Sequence, residues 1–190
     1  MARWGTEFDA DRLAGLELAM WKAYYRGQPV RLFRLLVRAV REQAGASWPR
    51  ALAASLFLTR AAAGFARADG NYDRFAPDIA RGYRMLRVPA DVDAGEVADR
   101  ELRWWVVRRE IGLSAGSAAG AAITALYAAL YGLPAEQVAE AGRLRGTAAE
   151  VRDRGAHGDP DGPRGSGAAY WPEVGRLLLD SYRELKAAIS

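Results

Sequence analysis

This sequence predicts an all-α fold, a single-domain bundle of about eight helices, and three observations predict it. Apolar residues recur at spacings of three and four from residue 10 to the C-terminus, the period of a helix with one buried stripe. No segment sustains the apolar–polar alternation of a half-buried strand. The 190 residues contain neither an internal repeat nor a linker between two halves, and a chain of that length buries roughly 70% of its unfolded surface around one core. One helical domain over residues 1–190 follows, broken by an irregular Gly/Asp/Pro-rich loop at 155–170.

The first helix runs from about Asp9 to Arg26, with Leu13, Leu16, Met20 and Tyr24 on one side and Gly27 as its stop. The second starts at Pro29, where a missing N–H costs nothing, and ends before Gly45. A third begins at Ser47 with Pro49 in its first turn and continues to about Ala68. After a turn at Asp69-Gly70-Asn71, residues Tyr72 to Leu86 read as a short helix interrupted or kinked at Pro77. Asp93, with Glu96 three residues later, forms a capped start for a helix to about Ile111. An Ala/Gly-rich helix then stops at Gly132, and Pro134 opens a polar helix to about Arg154. Trp171-Pro172 starts the last helix, striped by Val174, Leu177, Leu178, Tyr182, Leu185 and Ile189.

Composition excludes several classes of function. The absence of cysteine removes disulfides, thiolate metal sites and a cysteine nucleophile, and is the usual state of a cytoplasmic protein. The first dozen residues turn acidic at once and are not expected to act as a secretory signal. A net charge of +4 supports no nucleic-acid partner, because such binding needs clustered phosphate contacts. Only Lys22 and Lys186 among the 27 basic residues are lysines, a bias that GC-rich coding produces. Residues 111–135 carry no charge, but they are mostly Ala, Gly, Ser and Thr, so no membrane span is expected. Within them Gly112, Gly116 and Gly120 form a G-x-x-x-G-x-x-x-G ladder. Its small residues suit either a close neighbour in the same chain or a homodimer contact.

His157, the only histidine, excludes multi-histidine metal sites. With Asp159-Pro-Asp161 lacking the later ligands of a calcium loop, neither a metal nor a cofactor is assigned. Asp69 and Asp73, four apart, lack the aspartate-rich run of prenyl diphosphate chemistry. Arg31, Arg34, Arg38 and Arg41 share one face of the second helix, either as a solvated surface or as a grip for phosphates or an acidic partner.

The helix from Glu96 to Ile111 is the most informative. At about 100° per residue, Glu96, Asp99, Arg100, Arg103 and Glu110 form a water-facing flank. Glu101 and Arg108 fall on the opposite side with Ala98 and Trp105, and Arg109 is on that side too. Inward charge is either an internal ion cluster or the lining of a site. In the second case Arg108 and Arg109 hold an anionic group, Glu101 binds or deprotonates, and Trp104 and Trp105 supply a flat wall. Trp21, Tyr24 and Tyr25, with Glu17 one turn before Trp21, are further candidates for the same interior.

The segments Glu101–Glu110 and Gly167–Arg183 resemble a group of uncharacterised all-helical proteins of GC-rich bacteria. That resemblance implies a helical fold and transfers no catalytic residue. Length and helix count also suit a one-domain transcriptional regulator, but Met20 to Gln43 is too apolar and aromatic for a recognition helix. The leading expectation is therefore a bundle that binds a small, partly apolar, anionic molecule through Glu101, Trp104, Trp105, Arg108 and Arg109. The alternatives are a metal-independent enzyme with Glu101 or His157 as acid/base under a lid at 155–170, and an interaction module dimerising through Gly112, Gly116 and Gly120.

Overall fold

In a computed structural model, residues 5–112, 116–157 and 169–190 are described, and they form eight α-helices and one 3-10 turn with no strand. The helices are α1 (Ala10–Tyr25), α2 (Pro29–Ala44), α3 (Trp48–Arg67), α4 (Ala76–Leu86), α5 (Ala94–Ile111), α6 (Gly116–Tyr131), α7 (Ala135–His157) and α8 (Trp171–Ile189).

Local chemistry sets most boundaries. Asp9 caps α1 by accepting from the Arg12 N–H at 3.0 Å, and Asp93 caps α5 by accepting from the Gly95 N–H at 2.8 Å. Glu96 does not complete a reciprocal box, because its carboxylate reaches forward to Arg100 instead. Pro77 does not kink a helix as expected: a 3-10 turn at Tyr72–Phe75 precedes α4, and the proline occupies its first turn. The helix α7 continues through His157, so residues 155–157 of the expected loop are helical, while 158–168 lie outside the described residues. The Asp159-Pro-Asp161 segment and the start of the Gly167–Arg183 segment fall there too.

Each helix packs on its neighbour in sequence, and α8 returns to pack on α1, which closes the chain of contacts into a cycle. The main core lies between α1, α5, α6, α7 and α8, around Leu13, Ile123, Leu126, Val138, Leu178 and Leu185. Smaller cores join α2 to α3 and α4, and α3 to α4 and α5, and Tyr83 borders all three.

The glycine ladder is used inside the chain. Gly112 ends α5 at φ +67°, while Gly116 and Gly120 are buried where α6 meets α7. A Cβ on Gly120 would lie 3.1 Å from Arg143 Cα, and Gly142 and Gly146 of α7 answer it with backbone contacts of their own. Of the surface expected for a homodimer through Gly112, Gly116 and Gly120, the last two are thus covered by α7, while Gly112 has nothing within 4 Å of a Cβ. No described helix is long and apolar enough to cross a membrane.

Candidate functional site

The buried face of α7 is built of small residues, Ala141, Gly142, Gly146, Ala148, Ala149 and Ala156, and two arginines seven positions apart are set into it. That spacing is two helical turns, so Arg145 and Arg152 point into the bundle at two levels. Each organises a cluster.

Arg145 faces Glu17 of α1, which is only 3% exposed. Its Nε and Nη2 donate to Glu17 Oε1 at 2.9 and 2.6 Å, and Trp21 Nε1 donates to the same oxygen at 3.2 Å. The Tyr182 hydroxyl donates to Glu17 Oε2, and Arg145 Nη1 donates to the Tyr127 hydroxyl at 3.3 Å. Helices α1, α6, α7 and α8 thereby meet on one ion pair, whose remaining acceptor sites are filled by neutral donors. Burial, then the Glu17 charge, pushes the Tyr182 hydroxyl well above its ordinary range. Burial opposes the Arg145 charge, but neighbouring groups, the Glu17 carboxylate first, outweigh it and hold the guanidinium protonated.

Glu101 of α5 stands beside this cluster. It accepts from Trp105 Nε1 at 3.1 Å and from the Tyr83 hydroxyl of α4 at 3.1 Å. Burial raises its carboxyl above the usual 4.5, against the opposing pull of Arg145 and of these two donors.

The second cluster is cationic. Arg108 donates to Asp153 in bidentate fashion, Nε to Oδ2 at 2.9 Å and Nη2 to Oδ1 at 2.7 Å, and its Nη2 also donates to the Tyr25 hydroxyl at 2.5 Å. Arg152, 6% exposed, donates from Nη1 to the same Asp153 Oδ1 at 2.8 Å, and its guanidinium carbon lies 3.1 Å from the Tyr25 ring centroid. Among the described residues its Nε and Nη2 are buried without a hydrogen-bond partner, as is the Trp171 Nε1. Lys22 Nζ adds a third cation 5.5 Å above the Trp171 ring. Burial would raise the Asp153 carboxyl, but hydrogen bonds and charge from Arg108 and Arg152 hold it below its ordinary 3.8. Trp21 joins the two clusters, with its indole N–H on Glu17 and its ring centroid 5.4 Å from the Arg108 guanidinium carbon.

The expected site residues do not share one surface. Glu101 and Trp105 pair with each other and with Tyr83, and Trp104, 9% exposed, has Arg145 over its ring at 5.3 Å. Arg108 enters the cationic cluster, where it pairs with Asp153 rather than with Glu101. Arg109 turns outward: its Nη1 donates to the Phe65 and Ala68 carbonyls at 2.7 and 2.9 Å, which commits it to the end of α3. His157 is exposed in the last turn of α7.

Sequence reasoning misses Arg145, Arg152 and Asp153. The signal was present, since both arginines stand among alanines and glycines on the stripe that contains Val138, where a solvated arginine has no place. Among the described residues no three His, Asp or Glu side chains gather as a metal would require. Compared with known proteins, the chain matches no family model, no curated relative and no solved structure.

Proposed function

We propose that this is a cytoplasmic protein that binds a small anionic molecule with a flat apolar part between α1, α5, α7 and α8. The reading is carried by Arg152, whose Nε and Nη2 are buried without a partner. Among the described residues Arg108 and Arg152 share a single carboxylate, which leaves the cluster one surplus positive charge, and Lys22 adds a second nearby. Buried N–H groups left without an acceptor cost free energy even though Arg152 Nη1 is paired with Asp153, and a ligand carboxylate or phosphate would supply the missing acceptors bidentately. Trp21, Tyr25 and Trp171 give such a ligand flat apolar walls. Tyr170 and Trp171, with ring centroids 5.0 Å apart and tilted at 45°, stand at the start of α8 beside these walls.

The test is native mass spectrometry of the protein as purified, followed by titration with 2-naphthoate and with neutral 2-naphthylmethanol. A co-purified acid, or naphthoate binding at least ten-fold tighter than the alcohol and lost in Arg152→Met, supports the reading. Equal binding of both probes, or binding that survives Arg152→Met, overturns it.

A further inference from the structure

The α2–α3 hairpin carries a surface unlike the rest of the molecule. Trp48, Leu52 and Leu56 are 54%, 46% and 58% exposed. At four-residue spacing they fall within about 80° of one another and form a ridge about 12 Å long on the solvent side of α3. Exposed large apolar residues that stand singly need no explanation, whereas a contiguous row does. The interior side of α3 is satisfied by Ala51, Ala54 and Ala61, all fully buried, so the row is surplus to the core.

The arginine face of α2 meets that row where Arg41 lies over Trp48. Arg31, Arg34, Arg38 and Arg41 are all exposed, and none meets a carboxylate among the described residues. Arg31 reaches only the Gln28 side chain, at 3.4 Å, and Arg41 lies over the Trp48 ring with its guanidinium carbon 4.7 Å from the centroid. The single acid of α2, Glu42, is taken by Arg12 and the Asp9 N–H. Elsewhere Arg100, Arg143, Arg176 and Arg183 each pair with a carboxylate. Charge and apolar surface are therefore adjacent and both uncommitted on this hairpin.

We propose that the α2–α3 hairpin docks an acidic amphipathic helix of a partner protein, with leucine-like side chains along the Trp48–Leu52–Leu56 ridge and carboxylates on the α2 arginines. Charge complementarity selects the acidic partner. The four-residue period of the ridge selects a helix, which presents apolar anchors at the same spacing. Arg41, over the Trp48 ring and without a carboxylate partner among the described residues, is placed to grip a carboxylate one side chain away from an apolar contact, a fixed register that a helix provides. The ridge residues are about half covered, which favours a helix laid along them over insertion into a lipid surface.

The test uses the whole protein and a synthetic helical peptide with leucines at positions i, i+4 and i+8 flanked by glutamates. A glutamine version and a lysine version of that peptide are measured beside it. The glutamate peptide is expected to bind at least ten-fold tighter than the glutamine one at low salt, with that advantage shrinking as salt rises. Leu52→Ser with Leu56→Ser, both at exposed positions, should abolish binding. Arg34→Glu with Arg38→Glu should transfer the preference to the lysine peptide, an outcome that misfolding cannot produce. Equal affinity for all three peptides, or no binding, overturns the proposal. It is also overturned if phosphatidylcholine vesicles with 25% phosphatidylglycerol bind while the peptides do not. Concentration-dependent self-association in sedimentation, removed by the two serine substitutions, would instead make the occupant a second copy and overturn it as well.

Discussion

Glu17 is tolerated inside a helical bundle because Arg145, Trp21 and Tyr182 all donate to it. Removing the carboxylate leaves a buried guanidinium unpaired, so Glu17→Ala should cost about 3–5 kcal/mol, read as a shift of the denaturant midpoint. Two other carboxylates give opposite pH signatures. Glu101 is raised by burial, so the native state keeps its proton where the unfolded chain has lost it. Its contribution to stability is full below 4.5 and is lost as pH rises through the folded value. Glu101→Gln should therefore gain on the wild type as pH rises through that window. Despite burial, Asp153 is depressed by Arg108 and Arg152, so its contribution is present above 3.8 and lost as pH falls through the folded value. The deficit of Asp153→Asn should accordingly be largest near neutrality and vanish in acid. The inward placement of Glu101 and Arg108 is legible in the sequence because a helix fixes angle by residue number. The ion-pair partners are not, since Asp153 is 45 residues from Arg108, and Arg145 is 128 from the Glu17 that it pairs with.

Helix starts and stops are legible for a related reason: proline, glycine and aspartate act on their own few residues. Pro29, Gly45, Asp93 and Pro172 all end or begin helices where the sequence places them. The use of the glycine ladder is not legible, because the facing glycines, Gly142 and Gly146, lie on a different helix. Their contact predicts a contrast between two glycines. A Cβ at Gly146 would run into the backbone of Gly116 and Gly120, which cannot yield as a side chain can. Gly146→Ala should lose about 1–3 kcal/mol to overpacking, more than the roughly 1 kcal/mol that alanine gains in helix propensity. Gly15 of α1 has nothing within 4 Å of such a Cβ, so Gly15→Ala should raise stability by up to about 1 kcal/mol. Thermal melts of the two variants, shifted in opposite directions, would check this.

At the scale of the molecule, the contact cycle from α1 to α8 and back has no weak seam at its closure. Arg183 of α8 pairs with Asp11 of α1 at 2.9 Å, and the buried Glu17–Arg145 pair ties α1 to α7 across the same core. The three apolar cores share Tyr83. Unfolding in urea should accordingly be one transition, with far-ultraviolet circular dichroism and tryptophan fluorescence coincident. Separate midpoints would show that α2–α4 melts on its own. Tyr83 has a second consequence. Its ring borders the three apolar cores, and its hydroxyl donates to Glu101, whose proton affinity burial has raised. The position of α4 and the protonation of Glu101 are therefore thermodynamically linked. A displacement of α4 that weakens the Tyr83–Glu101 hydrogen bond must change the proton affinity of Glu101, and protonation of Glu101 changes the cost of that displacement by the same coupling free energy, which makes movement of α4 detectable as proton uptake or release in the interior.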